Sequence, residues 1–166
     1  VADIDSADFN SGTLTVSFNA GSDAAEDVLA IRNQGTGAGQ IGVSGSNVTY
    51  SGTTIGTFTG GSGGSNLVIT LNASANPTSA AALLQNITYE NTDTNNPTTT
   101  ARTIGFVLTD GDGGTSNNCD TTVAFTPTSS TLWVSSKTSA TVLAGNGGIT
   151  YTDGVAAQVG DPSLAF

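Results

Sequence analysis

Two groups of aspartates are spaced as cation ligands in this chain. One is Asp3-Ile4-Asp5-Ser6-Ala7-Asp8 near the N-terminus, and the other is Asp110-Gly111-Asp112-Gly113-Gly114 after an apolar run. Calcium takes about six to eight oxygens from carboxylates, carbonyls and water. Closely spaced aspartates supply such oxygens, and the glycines let the backbone fold round an ion. Neither group is an EF-hand, because Gly114 stands where a third ligand residue would be and no Glu follows Asp110 at the required distance. Aspartates also favour turns through Asx hydrogen bonds, so a solvated turn is the alternative for each group.

Other chemistry is largely excluded by residue type. Without histidine, Ser-His-Asp and Cys-His nucleophile systems are impossible and the common zinc sets are missing. A carboxylate pair could serve a glycosidase, but one Trp and three Tyr supply little of the aromatic pocket such enzymes use. The chain is therefore expected to be non-enzymatic. Gly37-Ala38-Gly39-Gln40-Ile41-Gly42 satisfies G-x-G-x-x-G, yet a strand pattern follows where a phosphate-binding helix would be needed, so a turn is predicted. Gly60-Gly61-Ser62-Gly63-Gly64-Ser65-Asn66 resembles a β-roll nonapeptide only superficially and occurs once, which predicts a flexible hairpin loop. The sequons at Asn47, Asn72 and Asn86 carry no weight in so Asn- and Thr-rich a chain.

Thirteen acidic residues face only Arg32, Arg102 and Lys137, a formal net charge of −10. So few cations cannot neutralise a run of phosphates, which argues against nucleic acid and against an anionic membrane surface. No apolar run approaches the roughly 20 residues of a membrane span. A carboxylate excess of this size repels itself in a compact chain unless cations offset it. The single Cys119 cannot form an intrachain disulfide. An acidic, Lys-poor, Ser/Thr/Gly-rich composition points to a secreted or cell-surface protein, and the N-terminus, lacking a leader, reads as that of a mature or excised piece.

The elements that must position these acids are strands. Apolar and polar residues alternate over 13–19, 28–32, 41–44, 47–50, 53–59, 67–71, 87–90 and 103–109, separated by Gly or Asn clusters. One segment differs: Asn76 as N-cap, Pro77 at the first helical position and an Ala/Leu run predict one short helix near 77–84, plugging an end of the fold with Leu83 and Leu84. Residues 98–100 read as an exposed loop. Further strands are expected at 121–126, 132–135, 149–152 and 155–159. A boundary is placed between a domain at 1–118 and an additional β segment at 119–166, either a partial second module or strands pairing with a neighbouring chain.

Residues 5–116 resemble the cadherin-like repeat modules of large bacterial surface and secreted proteins. The resemblance is carried by Asp3-Ile4-Asp5-Ser6, Asn33-Gln34-Gly35-Thr36-Gly37, Ile41-Gly42-Val43-Ser44-Gly45, Ile87-Thr88-Tyr89-Glu90-Asn91-Thr92, Arg102-Thr103-Ile104 and Leu108-Thr109-Asp110-Gly111-Asp112-Gly113-Gly114. It implies an all-β, Greek-key-like sandwich of cadherin-like or Ig-like type, with Ca2+ held by acids at the module ends. Asp3 and Asp5 match the opening motif and Asp110 and Asp112 the closing one, while Asp8 is added from spacing alone. The implied role is structural or adhesive, with neighbouring modules or identical subunits as partners. Two other readings stay open. One is a subunit of an extracellular filament that pairs through its C-terminal strands. The other is a carbohydrate-binding module for cell-surface glycans, with Trp133 as the aromatic candidate.

Overall fold

The computed structural model describes residues 7–125, 140–144 and 147–151. The chain divides into two compact units, Val1–Phe125 and Thr126–Phe166.

In the first unit the alternation seen in the sequence becomes strand burial. Strand β1 (Thr13–Ala20) turns Leu14 and Val16 into the core with Phe18 half-buried, while Thr13, Thr15 and Ser17 take the other face. Strands β2 (Asp27–Ile31), β3 (Ile41–Ser44), β4 (Asn47–Tyr50), β5 (Thr53–Thr59) and β6 (Leu67–Leu71) follow, then helix α1 (Pro77–Leu84), β7 (Ile87–Asn91), β8 (Arg102–Leu108) and β9 (Cys119–Val123). The fold is all-β: a seven-stranded antiparallel sheet in the order β3-β4-β5-β6-β1-β8-β9 and a two-stranded sheet, β2-β7. One core joins them, with Val16, Ile69 and Ile104 of the large sheet buried alongside Leu29 and Ile31 of the small one.

The connections are Greek-key-like. The chain leaves β1 for the small sheet, returns to run the meander β3 to β6, and comes back so that β6 lies beside β1. It then crosses through α1 to β7 and returns with β8 on the opposite side of β1. Because β8 is antiparallel to both β1 and β9, β1 and β9 run parallel, separated by one strand. The chain thus enters the large sheet at one pole, beside Leu108, and leaves it at the other, beside Arg102.

Helix α1 forms where the sequence predicts it. The Asn76 side chain accepts from the N–H groups of Thr78 and Ser79, the Ser79 hydroxyl takes the Asn76 N–H, and Pro77 occupies the first turn. A cap of this kind is worth about 1 kcal/mol. Leu83 is buried beneath it and Leu84 half-buried. The predicted loop at 60–66 joins β5 to β6, but Gly61 is buried with the Leu29 N–H bonded to its carbonyl at 2.7 Å. A Cβ there would run into the Leu29 carbonyl, so this glycine serves close packing.

β9 completes the large sheet, and the first unit runs to Phe125, where composition had placed the division at 118/119. Inter-strand hydrogen bonding across β8 and β9 brings 119–123 into the first unit, a pairing no local composition shift records. In the second unit β10 (Ala140–Ala144) and β11 (Gly147–Tyr151) form an antiparallel hairpin with Val142 opposite Ile149. The strands predicted at 132–135 and 155–159, and Trp133, lie outside the described residues. Among the described residues no helix is long and apolar enough to cross a membrane.

Candidate functional site

Two polar centres sit at opposite poles of the first unit. The proximal pole, where the chain enters β1, brings together two of the sequence-predicted turns. Asp8 accepts the Asn10 N–H at 2.9 Å in an Asx turn. Asp110 does the same more fully: its Oδ1 accepts the N–H groups of Asp112 and Gly114, each at 2.9 Å. These backbone donors, that of Asp112 foremost, hold the Asp110 carboxyl below its usual range and keep it ionised.

The two turns are stitched together although about a hundred residues separate them. The Thr109 N–H donates to the Thr13 carbonyl at 2.8 Å, and the Thr13 N–H donates to the Thr109 hydroxyl at 2.8 Å. Gly111, at φ +96°, lies against the Asn10 carbonyl, and Gly12 against the Thr109 carbonyl. Asp110 and Asp112, which the sequence motif places at the close of the module, therefore return to the pole where it opens. The following strand β9 is what carries the chain to the far end.

The joined turns present two carboxylates, each accepting backbone N–H groups, which is fewer oxygens than calcium takes from protein and water together. Among the described residues no three acidic or Cys side chains converge on one point. Asp3 and Asp5 lie outside the described residues.

The distal pole holds a centre that sequence reasoning missed. Arg102 is fully buried, and its guanidinium spends all five N–H groups. Nε faces both oxygens of Asp27 at 3.1 and 2.9 Å, and Nη2 reaches Glu26 Oε1 at 2.8 Å and the Thr98 hydroxyl at 3.3 Å. Nη1 donates to the carbonyls of Thr98, at 2.8 Å, and Thr100. Phe125 covers the guanidinium with its ring centroid 4.8 Å from Cζ, a cation–π contact. The loop at 98–100 is exposed, as predicted, and is also tied down through the carbonyls of Thr98 and Thr100. One sequence signal pointed here: Arg102 shares strand parity with Ile104, whose side chain faces the core.

Tyr89 closes the network by donating its hydroxyl to Asp27 Oδ1 at 2.7 Å, and the Asp23 N–H donates to Oδ2 at 2.6 Å. Burial pushes the Asp27 carboxyl up, but Arg102, the Asp23 N–H and the Tyr89 hydroxyl outweigh it and hold it below its ordinary value. Burial and the Asp27 charge push the Tyr89 phenol up from 10.0 to about 12. Glu26 and Asp27 are 6% and 2% exposed, so this adjacent pair is shut off from solvent and shares one cation. It is a clamp that holds the start of β2, the loop at 98–100 and β8 together.

The two shifts set the pH response. The folded-state pKa of Asp27 is depressed, so its stabilisation is present above about pH 4 and lost as acid protonates it. That of Tyr89 is raised, so its stabilisation is complete below pH 10 and is lost as pH climbs through about 12. Chemical denaturation between pH 9 and 12 should show a falling midpoint in the parent chain and a flatter profile in Tyr89→Phe. Equal slopes would remove Tyr89 as the alkaline trigger.

No protein family, curated protein or solved structure matches the chain.

Proposed function

We propose that the chain is a non-enzymatic, calcium-supported structural and adhesive module of a secreted or cell-surface bacterial protein, of the cadherin-like kind its motifs resemble. The observation that carries this reading is the path of the backbone. Opposite entrance and exit poles suit a unit strung between neighbours. Parallel first and last strands, each bonded to β8, meet an end-to-end pull in shear across the β1-β8 and β8-β9 ladders. The convergence of the Asp8 and Asp110 turns supports a cation site at the proximal pole, for which the motif resemblance offers Asp3, Asp5 and Asp112 as further ligands. There a bound ion would offset part of the chain's negative charge and stiffen the junction with a preceding module.

Calcium that binds only the folded state adds about 2.7 kcal/mol at a hundredfold excess over its dissociation constant. For a chain of this size that is a rise of roughly 5–10 °C in Tm. Asp110→Asn is the discriminating variant, because an amide oxygen can still accept the Asp112 and Gly114 N–H groups while the charge is gone. It is expected to melt slightly below the parent in chelator, because the amide accepts those N–H groups more weakly than the carboxylate, and to lose most of the calcium-dependent rise. Identical melting of the parent chain with calcium and with chelator would end the metal reading.

The filament reading draws on β10-β11, since an isolated two-stranded hairpin is marginal in water and gains from pairing with another sheet. Light scattering at high concentration separates the two: a monodisperse monomer leaves the tandem module standing.

A further inference from the structure

The two outer strands of the large sheet are finished differently. Along β3 the outward N–H and carbonyl groups of Ile41 and Val43 are taken. The Asn33 side chain accepts the Val43 N–H and donates to the Val43 carbonyl, each at 3.2 Å, while Gln34 serves Ile41 through its Oε1 at 3.0 Å and its own N–H at 2.7 Å. Strand β9 has no such cover. The Leu108 carbonyl accepts the Ser116 N–H, so the even-numbered residues of β8 turn toward β9, and Cys119, Thr121 and Val123 answer Phe106, Ile104 and Arg102. Asp120 and Thr122 therefore aim their N–H and carbonyl groups away from the sheet, and among the described residues nothing bonds to them. Nor is this edge guarded by charge. Edge strands are commonly protected by charged side chains, as exposed Glu90 provides on β7. The one charge on β9, Asp120, is instead tied to its own chain by the Asn19 and Asn118 amides at 2.7 and 2.6 Å. Thr121 lies opposite the buried Ile104 yet is itself exposed, so the core ends before β9.

We propose that β9 pairs with β9 of a second copy of this chain, antiparallel about a twofold axis through Thr121, joining two large sheets into one. The occupant follows from the pattern of the edge. Its free groups are backbone donors and acceptors at strand spacing, which another strand satisfies all at once. Turned about Thr121, β9 is its own complement. Asp120 stands opposite the partner's Thr122 and exchanges both N–H···O bonds with it, as Thr122 does with the partner's Asp120. Thr121 faces the partner's Thr121, a favourable cross-strand pair, and Cys119 faces the partner's Val123. No acid meets an acid in this register, and each aspartate gains a threonine hydroxyl beside it. Being twofold, the contact closes on itself, which separates it from an open filament. It goes beyond the calcium reading and stands whether or not calcium binds.

The test uses the whole chain carrying Cys119→Ser, so that the native thiol takes no part. Sedimentation equilibrium should show a concentration-dependent dimer and no larger species. Thr121→Lys sets two ammonium groups face to face at an exposed position, and should lower the association constant at least about tenfold with Tm unchanged. Single cysteines then read the register under mild oxidation. Opposed Thr121 residues form a non-hydrogen-bonded pair with Cα atoms about 4.5 Å apart, within disulfide range, so Thr121→Cys should give a covalent dimer. Thr122→Cys leaves the paired Cα atoms more than about 7 Å apart and should give little. A monomer at every concentration, species larger than a dimer, a dimer that survives Thr121→Lys, or preferential cross-linking through Thr122→Cys would each overturn the proposal. A monomer whose melting still rises with calcium would end the pairing and leave the module reading intact.

Discussion

Arg102→Met is expected to destabilise the first unit by about 3–5 kcal/mol, the cost of leaving buried carboxylates without their counter-charge. Asp27 and Glu26 are buried against the guanidinium, and removing it strands both. The same change frees the carbonyls of Thr98 and Thr100 and removes the cation beneath Phe125. Against a total stability of about 5–15 kcal/mol, this is a large share. Equilibrium urea unfolding would measure it. Arg102→Lys should recover only part of the loss, because an ammonium cannot reproduce the planar fork that meets Asp27, Glu26 and two carbonyls together. The triple variant Glu26→Gln, Asp27→Asn, Arg102→Met should lie closer to the parent than Arg102→Met does, since it strands amides in place of charges. A loss below about 1 kcal/mol for Arg102→Met, the scale of an exposed pair, would show that solvent reaches this centre.

Gly111→Ala is expected to cost roughly 2–4 kcal/mol, combining a side chain held at positive φ with overpacking. The new methyl would meet the Asn10 carbonyl and the Gly12 nitrogen, both backbone atoms of the neighbouring turn. Neither can move without displacing the start of β1. The change should therefore loosen the join between the Asp8 and Asp110 turns, and the calcium-dependent rise in Tm should shrink with it. Gly113→Ala is the control: its φ is also positive, at +114°, but an added Cβ would meet no neighbouring atom within 4 Å. It should cost only the conformational part, about 1–3 kcal/mol. Equal losses at the two positions would mean that the turns are not packed together in solution.

Much of the fold was legible in the residues because its causes are local. Strand periodicity located β1 to β8 to within one or two residues, since alternate residues of a half-buried strand must differ in polarity. The cap at Asn76 and the proline after it marked α1 for the same kind of reason: their hydrogen bonds close within one turn. β10 carries weaker alternation and was not anticipated, although its partner β11 was found close to the predicted 149–152.

What the sequence by itself determined is the local chemistry: strand alternation with one short helix, a net charge of −10 with only three Lys and Arg, no histidine, and aspartates in turn-forming contexts. Tertiary structure alone decided which of these residues meet. Asp8 and Asp110 come to one pole because β1 and β8 are antiparallel neighbours, a pairing between residues about a hundred positions apart that no window of sequence displays. Arg102 reads in sequence as a strand-terminal cation, and only the crossing of β2 and β7 over β8 brings Glu26, Asp27 and Tyr89 to it. A buried guanidinium depends on long-range partners to offset its desolvation, and those partners are chosen by topology.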